Sequence, residues 1–173
     1  MQPSQIPLSF NIRPASERED FLVAPPNEDA VNWIDRWPDW PGQFLLIVGP
    51  AGSGKSHLAE VWKSRSNAEL IEANSLEGLT IEQLDKLAST PLICENAGVG
   101  LEEEAFLHLY NLVMEKKGSL LITARTSPKN WNIALPDLKS RLGTIPVATV
   151  SQPDDQLFAA LIVKHFSDRQ LAV

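Results

Sequence analysis

Two spacings of apolar residues alternate along the chain. Gln43–Val48 (Gln-Phe-Leu-Leu-Ile-Val) is an almost continuous apolar run that leads into a glycine-rich segment, the pattern of a strand buried on both faces. Shorter runs at Glu69–Glu72, Pro91–Cys94, Ser119–Thr123 and Ile145–Val150 predict further strands. Between them the spacing becomes that of a helix face. Helices are predicted over Lys55–Ser66, Thr80–Ala88, Leu101–Lys116 and Pro153–Phe166; the third carries Phe106, Leu109, Tyr110 and Val113 on one stripe. Upstream, Phe21-Leu22-Val23 stops at Pro25-Pro26, and Asn27 suits the N-cap of a helix to Trp37 with Ala30, Val31, Ile34 and Trp37 on one face. Strands alternating with helices imply parallel pairing with helices on both sides. The expected fold is a three-layer α/β architecture around a parallel five-stranded sheet.

A length of 173 residues suits one such domain. Residues 1–20, rich in Pro, Ser and charge, are expected to be an extended, largely unpacked and flexible arm, with the α/β domain over residues 21–173. No window approaches the length of an apolar membrane span, and MQPSQIPLSF has neither the basic nor the apolar region of a secretion signal, so a cytoplasmic location is expected. The single cysteine, Cys94, excludes an internal disulfide framework and reads as a small buried hydrophobe. Fifteen Lys and Arg stand against 22 Asp and Glu, a net charge of -7 without a dense basic stripe, which argues against strong direct DNA binding.

The sharpest chemical signal is Gly49-Pro50-Ala51-Gly52-Ser53-Gly54-Lys55-Ser56, which fits G-x-x-x-x-G-K-[ST] between a predicted strand and a predicted helix. Its glycines let successive N–H groups face phosphate oxygens, and Lys55 supplies a charge for the β and γ phosphates. The Ser56 hydroxyl can ligate Mg²⁺. His57 follows without a second histidine at ligand spacing, so a metal role for it is not expected. The strand Pro91–Cys94 runs into Glu95-Asn96, where a phosphate-loop protein needs acids for the metal shell and for polarising water. Glu95 can hold a metal-bound water, or simply be a solvated strand end. Asn96 cannot take a proton, so binding is better supported than turnover.

These residues resemble the DnaA-type AAA+ proteins, and within them the Hda-like DnaA-related regulators of alphaproteobacterial type. GPAGSGKSHLAEVW resembles their Walker A segment, and FLVAPPNEDAV (Phe21, Leu22, Val23 and Asn27 in particular) their adenine-side segment. PLICENAG resembles the Walker B strand, LLITARTSP the sensor 1 strand, and LPDLKSRLG the box VII segment with its arginine finger, here Arg141. The resemblance covers about residues 5–170 and implies ADP or ATP with Mg²⁺ as cofactors. Two departures stand out. Arg125 occupies the place of the sensor 1 aspartate, and the lid with its sensor 2 arginine would follow residue 170, where the chain stops at Val173, so weakened nucleotide affinity is expected.

By spacing alone, Arg141 would pair with Asp137 one turn earlier; the resemblance implies that it reaches a neighbouring molecule's γ-phosphate. The arm segment Gln5–Phe10 resembles a clamp-binding peptide, with Gln5 to hydrogen-bond and Ile6, Leu8 and Phe10 to fill pockets, although an ordinary unstructured tail would look similar. Trp33, Trp37 and Trp40 read as packing residues, and Glu102-Glu103-Glu104 as a solvated first helical turn. The implied function is a regulator of replication initiation that docks on the DNA polymerase sliding clamp and stimulates ATP hydrolysis by DnaA. Its ADP-bound form is implied to be active, and self-association is allowed. The rival reading is an autonomous P-loop ATPase or small kinase. A kinase would need an arginine-rich lid, and the sequence shows no basic cluster near its C-terminus.

Overall fold

The computed structural model describes residues 11–13, 21–155, 157–159 and 162. Asn11–Arg13 (β1) and Phe21–Val23 (β2) pair antiparallel, so the described part of the arm is extended but, against expectation, held to the start of the domain by backbone pairing. Then follow Glu28–Asp35 (α1), Phe44–Val48 (β3), Lys55–Ser66 (α2), Glu69–Glu72 (β4), Ile81–Leu87 (α3), Leu92–Ala97 (β5), Glu103–Glu115 (α4), Leu120–Ala124 (β6), Pro136–Leu142 (α5) and Val147–Thr149 (β7). Residues 155, 157–159 and 162 are helical. The clamp-like peptide Gln5–Phe10 lies outside the described residues.

The main sheet has the order β4-β5-β6-β3-β7, parallel throughout. Its central strands are apolar on both sides because both sides are covered. Phe44, Leu46, Val48, Leu92, Cys94, Leu120 and Ile122 face α3, α4 and α5 through Leu84, Phe106, Leu109, Val113, Leu138 and Leu142. The alternate residues Leu45, Ile47, Ile93 and Leu121, with Ala148 and Val150, face α1 and α2 through Ala30, Val31, Ile34, Leu58, Ala59 and Trp62. The three-layer α/β expectation holds.

The tryptophans pack as expected. Trp40 stacks on the fully buried Trp62 at 5.1 Å, Trp37 meets the same ring edge-on at 5.8 Å, and the Trp40 indole N–H donates to the Trp33 carbonyl at 2.7 Å. Burying a ring of this size contributes up to about 3 kcal/mol, enough to fix α1 against α2. Thr80 caps α3 in a capping box with Gln83. Asn27, by contrast, makes no side-chain cap for α1. Its amide turns back instead, accepting from the Ala24 N–H at 2.9 Å and donating to the Leu22 carbonyl at 3.0 Å.

Candidate nucleotide-binding site

Every functional element predicted from the motifs, Arg141 and the arm excepted, gathers at the carboxyl end of the sheet, where open α/β sheets place ligands. Gly49 leaves β3 and donates its N–H to the Ala124 carbonyl of the neighbouring β6 at 3.1 Å. A Cβ at Gly49 would collide with the Val150 carbonyl oxygen and come within 2.8 Å of Ser53 Oγ, so the position admits no side chain. Gly52 and Gly54 have φ of 75° and 96°, the left-handed region in which glycine is unstrained. Gly54 stands at the N-cap of α2, which therefore has no side-chain cap and no acid in its first turn. The free N–H groups and helix dipole make an anion site there.

Lys55 is buried, and its ammonium donates to the carbonyls of Gly49 at 2.7 Å and Pro50 at 2.8 Å, with Ser53 Oγ at 3.5 Å. Burial pushes its pKa below the usual lysine value; the nearby Arg125 charge pushes the same way and Glu95 opposes. Ser56 and His57 are exposed on the first turn of α2.

Glu95 is not a solvated strand end. It is 8% exposed, and its Oε1 is buried without a hydrogen-bond partner. An orphaned carboxylate oxygen at this end of the sheet fits a hydrated cation. Among the described residues no three His, Cys, Asp or Glu side chains group to hold a metal by themselves. Mg²⁺ would thus rest on Ser56, on Glu95 through water and on phosphate oxygens, the usual arrangement for this ion. Asn96 is displaced by a bulge in the β5–β6 pairing and takes φ of 57°. Its N–H donates to Thr123 Oγ1 at 3.3 Å, and its side-chain amide donates to Glu72 Oε2 at 2.9 Å. Glu72 ends β4 in register with Glu95. The two carboxylates, after burial itself, push the Cys94 thiol up to about 12, so that cysteine stays protonated and inert.

The adenine-side segment is joined to the phosphate loop through β7. The Ser151 N–H donates to the Pro26 carbonyl at 2.9 Å, and the Val150 N–H donates to the Val48 carbonyl at 2.8 Å. Leu22 packs with Ala24 and Leu157, Val23 against the α1–α2 core, and Phe21 contributes backbone to β2.

Arg141 lies elsewhere. Helix α5 connects the carboxyl end of β6 to the amino end of β7, so its last turn sits towards the amino end of the parallel strands. The guanidinium is 5.5 Å from the Tyr110 ring, which stacks at 4.3 Å on Phe44, the first residue of β3. Five residue steps separate Phe44 from Gly49, roughly 16 Å along the strand. Arg141 Nε lies 3.2 Å from Asp137 Oδ1 without hydrogen-bond alignment, and no other ion pair or hydrogen bond holds the guanidinium among the described residues.

The acidic run of α4 departs from expectation. Glu102 caps the helix by accepting from the Ala105 N–H at 2.6 Å, and Glu103 accepts from the N–H groups of Ala134 and Leu135 at 2.7–3.1 Å. Glu103 thus clasps α4 to the segment before α5, and neither carboxylate faces only water. Beside them lies an open groove of about 470 Å³ lined by Glu77, Glu104 and Leu135, away from the phosphate loop. Sequence reasoning passed over Thr123, Glu72 and Trp131. Only Thr123 carried a signal, a lone hydroxyl inside the apolar run of β6.

No protein-family model matches the chain. Among solved structures, AMPPCP-bound DnaA from Aquifex aeolicus superposes with a TM-score of 0.74 at 16% identity, over 94% of this chain and 58% of that one. Domain III of the Thermotoga maritima replication initiation protein DnaA superposes with a TM-score of 0.75 at 19% identity, over 88% and 74%. The fold is a DnaA-like AAA+ fold. The FIGL-1 AAA domain is more distant, with a TM-score of 0.54 at 14% identity over 83% of this chain and 56% of that one. The chain spans just over half the length of the Aquifex protein it resembles. Among the described residues, no helix is long and apolar enough to cross a membrane.

Proposed function

We propose that the chain is an adenine-nucleotide-binding, DnaA-related regulator of the Hda type. Its arm docks on the DNA polymerase sliding clamp, and Arg141 enters the nucleotide site of ATP-bound DnaA in the cytoplasm. One observation carries the reading: Arg141 stands at the amino end of the strands, opposite its own phosphate loop, on the Tyr110–Phe44 stack. From there it is out of reach of its own nucleotide and available to a neighbour. Its tether is weak, since Asp137 is 60% exposed in the pair and exposed pairs contribute about 0–1 kcal/mol. A guanidinium delivered to a transferring phosphoryl group is worth roughly 10³–10⁵ in rate. In this chain's own site, ADP or ATP would lie on the loop amides and Lys55, with Ser56 and Glu95 holding Mg²⁺. The metal neutralises phosphate charge when bound.

The test is ATP hydrolysis by DnaA in the presence of the clamp and this protein. Arg141→Ala should abolish the stimulation while leaving the protein's own ADP affinity unchanged. Replacing Gln5 and Leu8 by Ala should abolish it through loss of clamp binding. Stimulation that survives Arg141→Ala would refute the proposal.

A second reading, an autonomous ATPase, is favoured by the Asn96–Glu72 hydrogen bond. It places a proton-accepting carboxylate beside the position that lacks one. Measurable turnover by the isolated chain, lost in Glu72→Gln, would establish it.

A further inference from the structure

The groove beside α4 is left unused by the nucleotide reading. Its walls are the segments that follow β4, β5 and β6: Glu77 comes from the first, residues 100–104 from the second and Leu135 from the third. Its volume of about 470 Å³ has room for a few side chains. The groove is preformed. Glu103 bolts the second wall to the third through the Ala134 and Leu135 N–H groups. Trp131 adds a second link: its indole N–H holds the Thr126 carbonyl at 2.9 Å, and its ring packs on Gly98, where a Cβ would come within 2.6 Å of the indole nitrogen.

The lining decides what can enter. Leu101 and Leu135 are half-buried against the core and give the groove an apolar floor, and Val99, next to Gly100, is 77% exposed. Around that floor stand the carboxylates of Glu77, Glu102, Glu103 and Glu104, none of them in an ion pair among the described residues. The α4 dipole offsets the three at its N-terminus. Glu77 arrives from a different connection and adds to a negative field that concave walls concentrate. A bare metal ion does not suit the place. Glu102 and Glu103 already commit three oxygens to backbone N–H groups, and among the described residues no three His, Cys, Asp or Glu side chains group to hold one. The positive charge must come on a chain that also carries an apolar group. We propose that the groove docks a basic, amphipathic segment of a partner protein, with one apolar side chain on Leu101 and Leu135 and Lys or Arg side chains reaching Glu77 and Glu104. The net charge of -7 draws in such a partner, while it repels nucleic acid and a second copy of this chain.

The test is fluorescence anisotropy of a short labelled peptide of Lys and Leu, with Leu at helical spacing, titrated with the whole chain. A peptide of equal charge with Ser in place of Leu should bind at least about tenfold more weakly, because the floor gains nothing from it. Glu77→Gln combined with Glu104→Gln should lower affinity for the Leu peptide about five- to tenfold, a loss that shrinks at high salt. Neither carboxylate makes a hydrogen bond or ion pair among the described residues, so melting of this variant should not fall. Glu69→Gln combined with Glu115→Gln removes the same charge from two exposed positions, at the start of β4 and the end of α4. That variant should lose less than about twofold. Equal losses in the two double variants would reduce the effect to net charge and overturn the proposal. Equal binding of the Leu and Ser peptides, or a wild-type chain that binds neither, would overturn it too.

Discussion

Replacing Lys55 by Met separates what that residue does for phosphate from what it does for the fold. Two contributions to stability oppose each other. The ammonium satisfies the Gly49 and Pro50 carbonyls, and its loss removes two charge-assisted bonds worth about 1.5–3 kcal/mol each before desolvation is counted. Burying that ammonium and setting it beside Arg125 is unfavourable, as its lowered pKa records. The Met side chain is similar in volume and carries no charge, so melting without nucleotide should shift by only a few degrees. The pH dependence gives the sign. A lysine whose folded pKa lies below its unfolded value binds its proton more weakly in the folded chain. Its ionisation therefore costs stability at neutral pH, and the cost is relieved as the pH rises from the lowered folded value towards 10.5. Wild type should gain stability relative to Lys55→Met across that alkaline window. Phosphate binding has no such compensation. Losing one charge-assisted bond to phosphate costs about 1.5–3 kcal/mol, or roughly 10- to 150-fold in ADP affinity. Calorimetric titration with ADP and thermal melting of both proteins decide the matter. ADP affinity within twofold of the wild type would refute the phosphate role.

Gly49→Ala should lower melting, because its Cβ would meet the Val150 carbonyl; such overpacking costs about 1–3 kcal/mol, and ADP binding should fall as the loop shifts. Asn27→Ala leaves the Ala24 N–H and the Leu22 carbonyl without their partner, an expected loss of about 1–3 kcal/mol per buried group that urea unfolding would show. If Asn27→Ala melted like the wild type, the adenine-side turn would need another anchor.

The strands and helices of the main domain were legible because each is an apolar run or stripe that fixes its own type. The phosphate loop was legible because its residues are consecutive. What stayed hidden depends on partners far along the chain. Glu103 binds N–H groups 31 and 32 residues away, and nothing near it announces that. Glu72 becomes part of the site only because β4 lies next to β5 in the sheet. Asn27 has the residue type of a cap, yet the unpaired groups it satisfies lie upstream of the helix, so the composition rule named the right residue for the wrong bond. The place of Arg141 followed from topology: a helix joining two parallel strands runs back from their carboxyl ends to their amino ends.

That separation of Arg141 from the phosphate loop makes the domain a polar object, with a cation donor at one end and an anion receptor at the other. Two such molecules cannot satisfy both ends at once in a two-fold dimer that pairs like with like. On the proposed function, contact through these ends would be heterologous, and repetition among copies would extend a row or close a ring rather than form a pair. In such a row each member would present its arginine to one neighbour and its nucleotide to the other. A molecule added at one terminus extends the series by offering its finger, and one added at the other by receiving a finger. Direction along such a row would be written into a single strand, β3, which carries Phe44 at its first residue and hands the chain to Gly49 after its last.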